Sequence, residues 1–133
     1  QTHFTGIGIL CAYGFDVFAN IFIILFIVVV MELEELKKRL RNYKIEEIVV
    51  TEHAELQAFS RDVDLKEVKE NILNPVKLVY AKRQEAKNDD EEKYDCYFAY
   101  SKHLYHRYAI VINGKLLIVT IIKINRDWQK AIG

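Results

Sequence analysis

Three histidines and three cations hold most of the reactive chemistry in the polar part of this chain: His53, His103 and His106, with Arg61, Arg107 and Lys123. Imidazole is the side chain whose ordinary titration range suits proton transfer near neutral pH. Guanidinium and ammonium groups can hold developing negative charge. His103 and His106 flank the start of a strand and could ligate a metal together with His53, although surface hydrogen bonding is the commoner fate of such residues. His53 lies at the start of a helix, where a histidine more often bonds a neighbouring strand than catalyses. A second set is aromatic: Tyr94, Tyr97, Phe98, Tyr100, Tyr105 and Tyr108. A sheet surface mixing Tyr with Arg, Lys and His can stack bases and hold phosphates. The plainer reading has alternate tyrosines covering the helices, with hydroxyls at the rim.

Several enzyme classes are disfavoured by missing motifs. The chain has no glycine between Gly14 and Gly114, hence no glycine-rich phosphate loop there. Its two cysteines, Cys11 and Cys96, lack metal-ligand spacing. Neither a Gly-x-Ser-x-Gly elbow nor a His-Glu-x-x-His zinc motif is present. The sequence thus calls for no metal and no cofactor. So few cysteines cannot build a disulfide framework, which fits a reducing compartment.

The elements that must position these groups fall into two parts. Residues 6–31 carry one charge, Asp16, and end in the apolar run Ile21–Met31. A helix of about 20 apolar residues spans a bilayer's hydrocarbon core, so residues 7–31 predict a transmembrane helix. The basic residues Lys37, Lys38, Arg39, Arg41 and Lys44 follow it and mark the cytoplasmic side, placing residues 32–133 inside. A cleaved signal peptide fits poorly, since no basic region precedes the run and no small-residue cleavage site follows it. A core helix is a further reading, but the run is apolar on every face, more than a small domain can cover. Alternatively residues 1–30 are upstream sequence and Met31 is the native start, giving a soluble cytoplasmic protein. Asp16 and Asn20 share a helical face toward the outer end of the apolar stretch, within reach of water or headgroups.

Residues 32–133 hold 19 basic and 18 acidic residues, near neutrality, which argues against a strongly basic nucleic-acid binder. Their length suits one domain with one core. Met31–Tyr43 predicts a helix with Leu33, Leu36 and Leu40 on one face, followed by an extended segment over Ile45–Val50. Thr51 caps a helix from Glu52 to about Ser60 that buries Ala54, Leu56, Ala58 or Phe59 in part. Asp62 or Asp64 caps a third, Leu65–Leu73, with Leu65, Val68, Ile72 and Leu73 inward, and Asn74-Pro75 stops it. Strands are expected at 76–80, 94–100, 104–112 and 115–124, with 82–93 a solvated loop and a short terminal helix over 126–132. Asn113-Gly114 predicts a two-residue type I′ turn pairing Ile112 with Lys115. That register makes His106 and Lys123 diagonal neighbours on one face and sets Arg107 opposite Thr120. The expected class is α+β: N-terminal helices on a three- to four-stranded antiparallel sheet, preceded by the hydrophobic helix.

The run Val49-Val-Thr-Glu-His-Ala54, then Arg61, then Val68–Pro75 ending Leu73-Asn74-Pro75, resembles a family of small prokaryotic domains. Arg107 with Tyr-Ala-Ile-Val-Ile after it, and the strand ending at Ile122, also match, so the resemblance spans roughly residues 45–123. That family is similar to the BrnT toxins and, more remotely, to the RelE/ParE toxin fold, whose members cut RNA without a metal or poison gyrase. The resemblance implies a toxin-like, metal-independent endoribonuclease or RNA-binding module with an antitoxin as partner. It implies His53 or His106 as base or acid and Arg61, Arg107 and Lys123 as charge stabilisers. Near-neutral charge and a membrane helix depart from what the resemblance implies. The alternative is a non-enzymatic interaction domain held at the cytoplasmic face of a membrane.

Overall fold

A computed structural model describes residues 7–125, with side chains from Val17 onward. The expected terminal helix at 126–132 lies outside these residues. The chain divides into two units, one ending at Glu35 and the other starting at Leu36.

The first unit consists, where described, of one helix, α1, which runs Ile7–Arg41 and so ends inside the second unit. The helix predicted from Met31 is therefore the last part of a longer one. Nothing between them breaks it: no proline or glycine falls between Gly14 and Arg41. Every residue from Val17 to Glu32 is exposed, with Phe22 and Phe26 at 69%. This is one helix long and apolar enough to cross a membrane.

The second unit is α+β. The end of α1 buries Leu36 and Leu40, each contributing about 1.5–3 kcal/mol by leaving water. After a turn, Ile45–Glu47 forms a short 3-10 helix and Ile48–Val50 forms β1. Thr51 Oγ1 accepts the Ala54 N–H at 3.2 Å and so starts α2, Glu52–Ser60. This helix buries only its small residues, Ala54 and Ala58; Leu56 and Phe59 are exposed, contrary to the broader face expected. Small side chains let α2 lie close to the sheet. It ends in a Schellman motif, with Val63 N–H on Ala58 C=O and Asp62 in the left-handed region at φ 56°. Asp64 caps α3, Leu65–Leu73, through the Lys66 N–H.

Four strands follow: β2 Leu78–Gln84, β3 Glu92–Ala99, β4 Tyr105–Asn113 and β5 Lys115–Ile124. They form a five-stranded mixed sheet in the order β1-β5-β4-β3-β2, with β1 parallel to β5 and the other pairs antiparallel. The expectation of three or four antiparallel strands is thus corrected. The segment read only as extended supplies the fifth strand, and α2, α3 and β2–β4 form its long connection to the parallel partner. The loop expected over 82–93 shrinks too, because Lys82, Arg83 and Gln84 pair with Asp95, Tyr94 and Lys93. Their polarity marks a sheet edge and rim rather than a loop.

The last hairpin departs from the predicted register. Ile112 pairs with Leu116, not Lys115, and of the two turn residues only Gly114 has positive φ, at 72°, so no type I′ turn forms. Farther along, Ala109 pairs with Thr120 while Ile110 pairs with Ile118, leaving Val119 as a bulge. The slip would have flipped the face of every later side chain; the bulge turns Ile121 back under the helices beside Tyr108. His106 therefore faces Lys123 directly, and Arg107 lies opposite Ile122 rather than Thr120. One face of the sheet fully buries Leu78, Cys96, Phe98, Tyr108, Ile110, Leu116, Ile118 and Ile121.

Candidate functional site

The residues singled out from sequence do not gather at one place. Alternation along β4 sends His106 and Arg107 to opposite faces of the sheet. His106 and Lys123 are direct cross-strand partners on the helix-covered face. Arg107, half-buried, lies on the other face with its guanidinium 6.0 Å from the centre of the Tyr97 ring. His53 is exposed in the first turn of α2, Arg61 is exposed at that helix's C-cap, and His103 is exposed in the loop before β4. Among the residues with described side chains, no group of three or more His, Cys, Asp or Glu is arranged to hold a metal ion.

What the fold does assemble is a polar chain around His106. Asn71, on the buried side of α3, donates from Nδ2 to the Tyr100 hydroxyl at 2.7 Å and to the Tyr108 hydroxyl at 3.0 Å. Tyr100 donates in turn to Glu67 Oε2 at 2.7 Å. Tyr108 lies 2.7 Å from His106 Nδ1. The tautomer of the imidazole sets which of the two groups donates in this bond, since the Tyr108 oxygen can accept from both Asn71 and an Nδ1–H. Burial lowers the His106 pKa; the negative Glu67 opposes that shift and Lys123 adds to it. Burial likewise raises Tyr100, to about 12, and raises Tyr108. The Tyr100 ring packs 4.5 Å from the imidazole on one side and carries the Lys77 ammonium 5.2 Å from its centre.

Chemically this chain is a satisfied core network. Its phenols are held protonated, its imidazole is neutral, and His106 is 3% exposed. It bolts α3 to β4 and to the segment after β3, and a buried network of this kind fixes one packing arrangement of the core. Cys96 is equally inert, because burial pushes its thiol far up, away from the reactive thiolate. Beside the network, Glu70, Asn71, Leu73, Asn74, Val76 and Lys77 line a shallow groove of about 270 Å³.

Sequence reasoning found His106 and, in a separate aromatic set, Tyr100 and Tyr108, but missed Glu67 and Asn71, which join them. One signal was legible: Asn71 sits three residues after Val68 on the buried stripe of α3, where a polar residue needs a partner.

The opposite face is built differently. Tyr80, Tyr97 and Tyr105 form a ladder, with ring centres 5.4 Å and 5.8 Å apart. Lys82, Gln84, Lys93 and Asp95 lie at its rim, and Gln84 Nε2 donates to Asp95 Oδ2 at 2.8 Å. The Tyr105 hydroxyl is buried with no hydrogen-bond partner.

Comparisons with protein-family models, with curated proteins and with solved structures returned no match. The geometry of the chain itself therefore carries its functional reading.

Proposed function

We propose that this protein is a membrane-tethered, non-enzymatic interaction domain. Residues 7–31 sit in the bilayer, and the α+β unit meets its partner at the cytoplasmic face. One observation carries the reading: every side chain from Val17 to Met31 is exposed on a helix with no charge in that stretch. So much apolar surface is unstable in water and calls for lipid. The basic residues after it give the orientation. The non-enzymatic half rests on His106 being consumed by a core network and on His53, Arg61 and Arg107 lying apart from it.

The full-length chain should stay in the membrane fraction through high-salt and alkaline washes, with its C-terminal unit open to protease from the cytoplasmic side. Ile24→Lys with Val28→Lys, each costing about 2.5–3.5 kcal/mol at a helix centre, should release it. A wild-type chain washed off by alkali would overturn the reading.

A toxin-like ribonuclease or RNA-binding module with an antitoxin is the second reading, favoured by the exposure of His53 and Arg61 at the two ends of α2. The order of elements also supports it: a strand, a helix with His53 in its first turn and Arg61 at its end, and a helix stopping at Leu73-Asn74-Pro75. Growth arrest on expression, relieved by His53→Ala or Arg107→Ala, would favour it over the first. Harmless expression with no RNA cleaved or bound by the purified chain would dismiss it.

A further inference from the structure

The sheet has two edges, and they are finished differently. At one, β1 is only three residues long, and α2 takes over where it stops. Thr51 N–H bonds Ile118 C=O at 3.0 Å, and the Gln57 side-chain carbonyl accepts the Ile121 N–H at 2.9 Å. At the other, β2 runs seven residues, Leu78–Gln84, pairs on one side with β3, and has no strand beyond it among the described residues. From Tyr80 to Gln84, past the irregularity in register between Leu78 and Tyr80, alternate backbone N–H and C=O groups along its outer side are thus left without a ladder partner among the described residues. An edge of this kind is a template for another strand.

The charge of the edge selects the occupant. From Lys77 to Gln84 the chain carries Lys77, Lys82 and Arg83 and no acid. All three are exposed, and among the described residues no ion pair takes the ammonium of Lys77 or Lys82. Arg83 reaches Glu92 at 3.5 Å, but that carboxylate is already held by Arg39 at 2.7 Å. Two copies of the chain meeting edge to edge would set Lys82 and Arg83 against their own images, and like charges across a ladder destabilise it. An acidic strand meets no such cost.

We infer that the outer edge of β2 binds an extended, acidic segment of a partner protein by strand addition. Main-chain hydrogen bonds supply the affinity, and Lys77, Lys82 and Arg83 supply the selection. The inference deepens the interaction reading above by naming the partner's chemistry, but does not depend on the membrane anchor.

The test uses the full chain in detergent and two capped ten-residue peptides, one alternating threonine with glutamate and one alternating threonine with lysine. The glutamate peptide should slow amide hydrogen exchange along β2 and leave β1 unchanged. Lys82→Glu with Arg83→Glu should weaken its binding at least tenfold and favour the lysine peptide instead. These exposed substitutions should not alter membrane partitioning, so failure here and failure of the anchor are read separately. Unchanged β2 exchange with the glutamate peptide, equal binding of both peptides by the wild type, or a β2-to-β2 dimer in solution would each overturn the inference.

Discussion

The two faces of the sheet solve the same problem with different chemistry. The face under the helices is aliphatic and closely packed, and its few polar groups, Asn71, Tyr108 and His106, satisfy one another. Helices reach it through that chain and through the two Arg39–Glu92 hydrogen bonds, at 2.7 and 3.1 Å. The other face packs tyrosine on tyrosine, with charged residues at its rim and a buried hydroxyl, that of Tyr105, left without a partner. A buried polar group helps only when it is paired, so identical phenols on the two faces should contribute with opposite sign.

The largest break in this contrast should come from Asn71→Ala. It removes the donor to two phenols, buried Tyr108 and half-buried Tyr100, and should lower the unfolding free energy by about 3 kcal/mol, read by urea denaturation. The sharpest comparison is a matched pair. Tyr108→Phe takes a partner from both Asn71 and His106 and should destabilise by about 1–2 kcal/mol, whereas Tyr105→Phe deletes an unpaired hydroxyl and should stabilise by about 1 kcal/mol. Loss of stability in both would end the distinction between the faces.

Titration offers a third probe. The folded state holds the His106 pKa below its ordinary 6.5, so the unfolded chain binds the proton more readily. Stability is then full above about pH 6.5 and declines as pH falls below it. Tyr100 works in the other direction: its folded value, about 12, lies above the ordinary 10. Its contribution is present below pH 10 and lost as pH rises through that range. Thermal melts across pH should show both slopes, and His106→Gln should flatten the acid one. The smallest effect is expected on the second face: Arg107→Ala removes a half-exposed contact with the Tyr97 ring and should cost no more than about 0.5–1 kcal/mol in the same denaturation assay.

Local rules made much of the fold legible. Thr51 and the Asn74-Pro75 stop mark α2 and α3, and a period of two from residue 94 onward announced the strands. The candidate site was far less legible. His106 and Lys123 were placed on one face through a register that proved wrong by one residue at the turn and two beyond Val119. Two slips left the parity unchanged. Arg107 was grouped with His106 although adjacent residues of a strand must face opposite ways.

By itself the sequence determined where chain segments begin and end and which segment is too apolar for water, because caps, prolines and runs of side chains act over a few residues. Only the tertiary structure decided that Ile48–Val50 becomes a strand, since its partner Leu116–Ile118 lies more than sixty residues away. It also decided that Val119 bulges, that Asn71 joins two tyrosines to a histidine, and that β5 is bonded past the end of β1 by Thr51 and Gln57 while β2 has no strand beyond it among the described residues. These outcomes depend on which distant groups compete for the same hydrogen bonds and the same buried space, and no local pattern encodes that competition.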